Sequence, residues 1–381
     1  MEPITSRELD EAISDALSIV RSNIPIYRGF CQNHSSIGGI YPRCKNDQWT
    51  CGFWPGELWL SWELSQDAMF LEAGTAMVPS FANRIERKIC VDHHDMGFLY
   101  TPSCVSAWML TGNELARKAA IAAANQLLTR WQPKGEFLQA WGAMDAKDNY
   151  RYIIDCLLNL PLLYWAGEVT GDDTYGRIAR AHTHTCLTYS FRPDHSTYHT
   201  YFLDPRTGKG LRGETCQGYR ADSSWARGQA WAVYGLALAF RHTGNPELPS
   251  LFDGALGYFL SRLPEDLVPY WDLVFQNGSE PRDSSSASIV ACGLLEMARL
   301  VEEKKEAYKE MAEKLIGSLV RSYRVRPGDK ANGLVLHGTY SKKSPYNTCT
   351  EEGVDECVSW GDYFYLEALT RLKKSDWRSY W

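Results

Sequence analysis

Apolar residues recur along most of this chain at the three-to-four-residue interval of a helix. Between Arg7 and Ile24 they fall at Leu9, Ile13, Ala16, Leu17, Val20 and Ile24, which share one helical face. The same interval returns near residues 55–64, 67–88, 98–111, 113–129, 152–170, 173–190, 225–243, 246–262, 284–302, 304–324 and 358–374. The pattern predicts roughly twelve helices.

The junctions repeat as well. Thr111-Gly112-Asn113, Thr170-Gly171-Asp172 and Thr243-Gly244-Asn245 each end one helix on a left-handed glycine and open the next with Asn or Asp. Twelve helices joined as hairpins predict an all-α fold, a closed (α/α)6 barrel of six inner and six outer helices. No Pro/Gly/Ser-rich linker interrupts it, so residues 1–381 read as a single catalytic domain. The segments between hairpins (25–54, 130–151, 191–224, 263–283 and 325–357) are long and rich in Trp, Tyr, His, Asp and Gly. Loops of that length usually carry function, which places a cleft at one end of the barrel.

Composition narrows the function. A formal charge of −6, a pI near 5.9 and the absence of a Lys/Arg cluster argue against nucleic acid as a partner. No apolar run approaches membrane-spanning length, and the first residues lack a signal-peptide core, so a cytoplasmic chain is expected. Eleven Cys without CxxC pairing fit reduced thiols, and the sequons at Asn33 and Asn277 are discounted accordingly. The unusual feature is an aromatic content of 13%, including 14 Trp. Trp49, Trp54, Trp141, Trp225 and Trp231 sit in polar, Gly-containing surroundings, where flat faces can stack on sugar rings, although Trp also serves as core filler.

Two aspartates stand out. Asp155 lies among apolar neighbours, where desolvation raises a carboxyl pKa toward the range of a general acid. Asn159, one helical turn on, is placed to hold it, and a helix-capping Asp is the structural alternative. Asp95 ends the run Asp92-His-His-Asp, which lacks the i, i+4 spacing of a helical metal site. It therefore reads as a second acidic or sugar-binding residue, or as a cap, with no metal and no cofactor expected. Arg227 and Trp231, four apart, suit a ligand with a carboxylate on a ring, and His199 and Gln217 lie in the loop upstream. No GxSxG, P-loop or GxGxxG motif is present.

These residues belong to a longer pattern. Trp49-Thr-Cys-Gly-Phe-Trp-Pro-Gly56, His94-Asp-Met-Gly-Phe-Leu-Tyr100, Gln139-Ala-Trp-Gly142, Ile153-Ile-Asp-Cys-Leu-Leu-Asn-Leu-Pro161, Tyr198-His-Thr200, Trp225-Ala-Arg-Gly-Gln-Ala-Trp231, Arg282-Asp-Ser-Ser285 and Trp360-Gly-Asp-Tyr-Phe-Tyr-Leu-Glu-Ala368 follow in order. Together they resemble the unsaturated glucuronyl hydrolases, glycoside hydrolase family 88. The resemblance implies an (α/α)6 barrel that removes a 4,5-unsaturated uronic acid from lyase-generated oligosaccharides. It implies Asp155 as acid/base, Asp95 as partner carboxylate, and Trp49, Trp141, His199, Gln217, Arg227 and Trp231 as sugar and carboxylate contacts.

Relatives acting on sulfated disaccharides resemble one another in a Ser-x-x-Ser-x-Lys segment. Here Ser341-Lys-Lys-Ser344 keeps both serines as candidate substrate contacts, but Tyr346 stands at the lysine position, leaving Lys342 and Lys343 as the nearest cations. The second enzyme reading is an unsaturated rhamnogalacturonyl hydrolase with the same chemistry. A sugar isomerase would lean on His pairs such as His93/His94, and a non-catalytic lectin-like barrel is expected to lack Asp95 or Asp155. The expected partner is an unsaturated uronyl oligosaccharide, and the chain is expected to be a monomer or dimer.

Overall fold

A computed structural model describes all 381 residues. Six helices are apolar almost all round and six on one face only, and this difference sorts them into two layers. In α10 (Ala226–Thr243), α12 (Ser284–Leu300) and α14 (Ser359–Lys373), consecutive residues are buried over most of the helix. In α1 (Ser6–Asn23), only Ala12, Ile13, Ala16, Ile19, Val20 and Asn23 are buried.

The inner ring comprises α2 (Phe53–Ser65), the interrupted helix α4/α5 (Met96–Tyr100 and Ser106–Thr111), the broken helix α7/α8 (Cys156–Asn159 and Pro161–Thr170), α10, α12 and α14. Each contacts the next and α14 returns to α2, closing the ring. Around it stand α1, α3 (Ala68–Glu86), α6 (Glu114–Leu128), α9 (Asp173–Tyr189), α11 (Leu248–Ser261) and α13 (Lys305–Ser322). The twelve-helix (α/α)6 expectation thus holds. Two inner helices are interrupted where periodicity predicted continuity. Thr101–Val105 forms a π-helical turn containing Pro102, and Pro161 restarts α8 because it supplies no N–H to the preceding turn.

The Thr-Gly-Asn/Asp junctions behave as read. Gly112, Gly171 and Gly244 have φ of 69°, 76° and 62°. Each preceding threonine hydroxyl donates to the carbonyl four residues back at 2.6 Å. Asn113 and Asp172 then accept from the backbone N–H groups of Ala116 and Thr174.

The long connections are not wholly irregular. They hold a three-stranded antiparallel sheet (Arg151–Ile153, Thr200–Leu203, Gly210–Glu214, with Tyr152 opposite Tyr201 and Thr200 opposite Glu214) and three small hairpins. The hairpins pair Cys31–Gln32 with Arg43–Cys44, Trp131–Gln132 with Phe137–Leu138, and Gly338–Ser341 with Glu352–Glu356. Strands of two to five residues are too short for a period-two pattern to show.

Inside the ring, aromatic rings fill the axis: Phe53, Phe98, Trp231 and Phe364 touch one another, and the C-terminal Trp381 stacks on Phe364 at 5.7 Å. The indole of Trp381 donates to Glu367 at 2.7 Å. Arg371 joins Glu296, Glu367 and the Tyr234 hydroxyl in one buried network.

Candidate active site

The inner helices begin at residues 53, 96, 156, 226, 284 and 359, and the segments just before several of these starts line one cavity of about 390 Å³. Trp49 precedes α2, His94 and Asp95 precede α4, Ile153 and Asp155 precede α7, and Tyr340, Ser341, Thr348–Thr350 and Glu352 come from the hairpin before α14. Trp141, His199, Cys216, Gln217 and Trp225 come from the connecting loops, and Arg227 and Trp231 from the first turns of α10.

Gly97 brings the two aspartates together. A Cβ there would sit 2.4 Å from the Asn159 Cα, so only glycine allows α4 and α7 to abut. Phe98 N–H donates to Asn159 Oδ1 at 3.0 Å, and Asn159 Nδ2 donates to the backbone carbonyl of Asp155 at 3.3 Å. Asn159 therefore holds the backbone at Asp155 rather than its carboxylate, unlike the sequence expectation. Asp95 and Asp155 are N-cap residues, yet neither side chain makes a capping bond.

His94, which the sequence offered for metal binding or as half of an isomerase His pair, lies between them. Its Nε2 is 3.3 Å from Asp95 Oδ1 and 3.5 Å from Asp155 Oδ1. Burial pushes the Asp155 carboxyl well above the usual range, and the Asp95 charge adds to this while Arg227 opposes it. Burial pushes Asp95 upward too, but His94, the hydrogen bond and charge of His93, and Arg84 bring it below its ordinary value. His93 Nδ1 is 3.0 Å from Asp95 Oδ2. His94 is itself lowered, chiefly by burial, while the Asp95 charge opposes that shift.

The donor atoms of His94, Asp95 and Asp155 lie within 4.8 Å of one another, a three-ligand grouping that spacing within one segment did not reveal. His94 Nδ1 has no hydrogen-bond partner, whereas a metal-bound imidazole is normally oriented through that atom. The grouping suits a proton held between two carboxylates better than a metal.

The remaining wall is aromatic and donor-rich. Trp49 stacks on Trp360 at 5.3 Å, and Trp141 stays 37% exposed beneath the Arg151 guanidinium, 4.6 Å from its ring. His199 is pushed down to about 3 by burial and the Arg227 charge, so it is neutral. Its Nδ1 accepts from the backbone N–H groups of Cys216 and Gln217 at 2.9 and 3.2 Å, which assigns the proton to Nε2. Gln217 Nε2 donates to the Tyr340 carbonyl at 3.0 Å.

Arg227 departs from the expected pairing. Its flanking indoles are Trp225 at 4.3 Å and Trp360 at 4.7 Å, not Trp231, which packs on Phe98 and Phe364. Its Nη1 donates to Asp283 at 3.2 Å and its Nη2 to the Tyr340 carbonyl at 2.7 Å, so much of its donor capacity is already engaged. Ser341 lines the cavity, but Ser344 does not; its hydroxyl donates to the Tyr219 carbonyl at 2.6 Å and accepts from the backbone of Tyr346 and Asn347. Tyr340, Glu352 and Thr348–Thr350 escaped the sequence reading because the hairpin that presents them is too short to detect.

The family model described as Glycosyl Hydrolase Family 88 matches residues 32–345. This chain belongs to glycosyl hydrolase family 88. It is 44% identical to an unsaturated chondroitin disaccharide hydrolase of Streptococcus agalactiae serotype III (strain NEM316), over 99% of this chain and 94% of that protein. It is 41% identical to the unsaturated glucuronyl hydrolase of Bacillus sp. (strain GL1), over 96% of each chain. The crystal structure of the unsaturated glucuronyl hydrolase from S. agalactiae superposes with a TM-score of 0.95 at 44% identity, over 100% of this chain and 95% of that one. A mutant of the S. agalactiae enzyme complexed with dGlcA-GalNAc6S superposes with a TM-score of 0.87 at 40% identity, with the same coverage. The family 88 chain is thus a glycoside hydrolase, and none of its helices is long and apolar enough to cross a membrane.

Proposed function

We propose that this family 88 chain removes the 4,5-unsaturated glucuronyl residue from the non-reducing end of glycosaminoglycan-type disaccharides, with Asp155 as the acid/base. The observation that carries the reading is the Asp155 carboxyl itself. Its Oδ1 has no hydrogen-bond partner, and burial beside Asp95 favours its protonated form. A C4=C5 enol ether is protonated at C4, which moves positive charge to C5 and the ring oxygen. Asp155 gives that proton and becomes the carboxylate that takes one from water as the water adds at C5. The hemiketal then opens and the glycosidic bond breaks, with Asp155 again protonated. Asp95, ionised, stabilises the positive charge and keeps the Asp155 pKa high.

The stacking faces of Trp49 and Trp141, the Nε2–H of His199 and the side-chain carbonyl of Gln217 suit a ring with hydroxyls and a carboxylate. Near the serine segment, Lys342 pairs with Glu351 at 2.8 Å and Lys343 donates to the Asn347 carbonyl at 2.9 Å. Tyr346 is 62% exposed. Glu352, paired with His34 at 2.9 Å, is the charged group on that wall. This arrangement supports preference for an unsulfated leaving sugar. A chain whose eleven cysteines are all free fits a reducing cytoplasm.

The test is loss of the ultraviolet absorbance of the conjugated double bond with unsaturated chondroitin, hyaluronan and rhamnogalacturonan disaccharides. The reading expects turnover of the glucuronyl substrates, fastest without sulfate. Turnover of the rhamnogalacturonan substrate alone would overturn it.

A further inference from the structure

The three-stranded sheet carries a row of side chains that leads away from the cavity. Arg151 stands opposite Phe202 and Phe202 opposite Arg212, so the three share one face. Trp141, on the cavity wall, closes the inner end of this row.

The Arg151 guanidinium is held flat by two rings, 4.6 Å from the centroid of Trp141 and 5.1 Å from that of Phe202. Its Nε donates to Asn149 Oδ1 at 2.8 Å, and Asn149 Nδ2 donates to the Trp141 carbonyl, so one amide ties the guanidinium to the cavity wall. Nη1 and Nη2 have no hydrogen-bond partner in the protein, and no carboxylate lies within ion-pair distance of them. Glu214, whose charge reaches Arg151, is paired with Arg212. Arg227, by contrast, is already engaged by Asp283 and the Tyr340 carbonyl. Arg151 is only partly buried. A planar fork fixed at Nε and open at both terminal nitrogens is preorganised for a carboxylate that binds through both oxygens. The His199 imidazole in the cavity is lowered by burial, then by Arg227 and Arg151, so the Arg151 charge reaches the substrate site.

Position decides which carboxylate this is. The strand Arg151–Ile153 leads into Asp155, which sets Arg151 up to about 13 Å from the acid/base. That is too far out for the carboxylate of the ring being cleaved. Uronates alternate with hexosamines in a glycosaminoglycan, so the next carboxylate along the chain belongs to the sugar after the leaving one. We propose that Arg151 binds this internal uronate and forms a further subsite for unsaturated glycosaminoglycan oligosaccharides of four or more sugars. The subsite rests on the hydrolase reading given above and extends its substrates beyond disaccharides.

The experiment measures kcat and KM, by loss of ultraviolet absorbance, for three unsaturated sugars: the hyaluronan disaccharide, the hyaluronan tetrasaccharide, and a tetrasaccharide with glucose in place of the internal glucuronate. The expected result is a kcat/KM about tenfold higher for the hyaluronan tetrasaccharide than for the disaccharide, carried by KM, as one charge-assisted contact supplies. The gain should disappear with the glucose-containing sugar. It should also disappear in Arg151→Met and return only in part in Arg151→Lys, whose ammonium cannot form the fork. Equal kcat/KM for the two hyaluronan sugars, or a gain that survives loss of the internal carboxylate, would overturn the proposal. The comparison of sugars on the wild-type chain decides the matter even if a variant fails to fold. Failure of the hydrolase reading has a different signature, no loss of absorbance with any of the three, and calorimetric affinities for the same sugars then judge Arg151 by the same ratio.

Discussion

Asp95 and Asp155 occupy the N-cap positions of two short helices that touch at Gly97 and Asn159, yet both carboxylates turn away from the helix ends and face the imidazole of His94. A capping Asp gives its helix about 1 kcal/mol, and both positions forgo it. What replaces it is a pair of carboxylates with opposite tendencies, Asp155 held protonated and Asp95 held ionised.

Replacing Asp155 with Asn removes the transferable proton while keeping the shape. Turnover should fall by at least about 10³-fold, within the usual reach of general acid–base catalysis. Substrate binding, read by calorimetry, should stay within a few-fold of wild type. A variant that retains wild-type turnover would remove Asp155 from the mechanism.

The pH profile of kcat/KM should be bell-shaped, with its alkaline limb set by deprotonation of Asp155 and its acid limb by protonation of Asp95. The Asp95 charge raises the Asp155 pKa, so Asp95→Asn should move the alkaline limb to lower pH as well as slow the reaction. An unmoved alkaline limb would mean that the two carboxylates are not coupled.

Much of this site was legible in the sequence because its residues sit in dense local motifs. Trp49, Asp95, Asp155 and Arg227 each lie within a few residues of an inner-helix start, where helical periodicity gives way to polar and aromatic residues. The partners of those residues were not legible. That Arg227 is framed by Trp225 and Trp360, that Asn159 holds a backbone rather than a carboxylate, and that Ser344 ties down a turn are facts of long-range packing. Periodicity gave the twelve helices but not the breaks at Pro102 and Pro161, which sit inside otherwise continuous apolar patterns.

Asp155 should also cost the fold stability. Its folded pKa is raised above the unfolded value of about 3.9, so its contribution is fully favourable only below that value and is lost as pH rises through the folded pKa. Near neutral pH and above, Asp155→Asn should therefore raise Tm by about 1 °C for each kcal/mol relieved. The gain should vanish in acid, where wild-type Asp155 is protonated in both states. Thermal scans at acidic and alkaline pH make the comparison, and a gain that is independent of pH would contradict the burial argument.

The free face of Trp141 offers a stacking surface at the cavity mouth under Arg151. Stacking of this kind is worth about 0.5–1.5 kcal/mol. Trp141→Ala should raise KM by roughly 3- to 10-fold with little change in kcat, and Trp141→Phe should recover most of the loss. A fall in kcat at constant KM would instead place Trp141 in contact with the reacting centre.

Far from the cavity, Arg371 is 7% exposed and bonds Glu296 at 2.7 Å and Glu367 at 2.9 Å. Glu367 also receives the indole N–H of Trp381, so one guanidinium and the C-terminal residue share an anchor. Arg371→Ala would leave the buried Glu367 without a cation and Glu296 with only Arg241 at 3.8 Å, a change that costs about 3–5 kcal/mol. Arg371→Met fills similar space but also strands Glu367 and leaves Glu296 to Arg241 alone, so it should be nearly as destabilising. The triple change Arg371→Met, Glu296→Gln, Glu367→Gln should recover part of the loss by removing the stranded charge. Urea unfolding of the three proteins reads these differences, and an alanine variant within 1 kcal/mol of wild type would show that water satisfies the two glutamates once the arginine is gone.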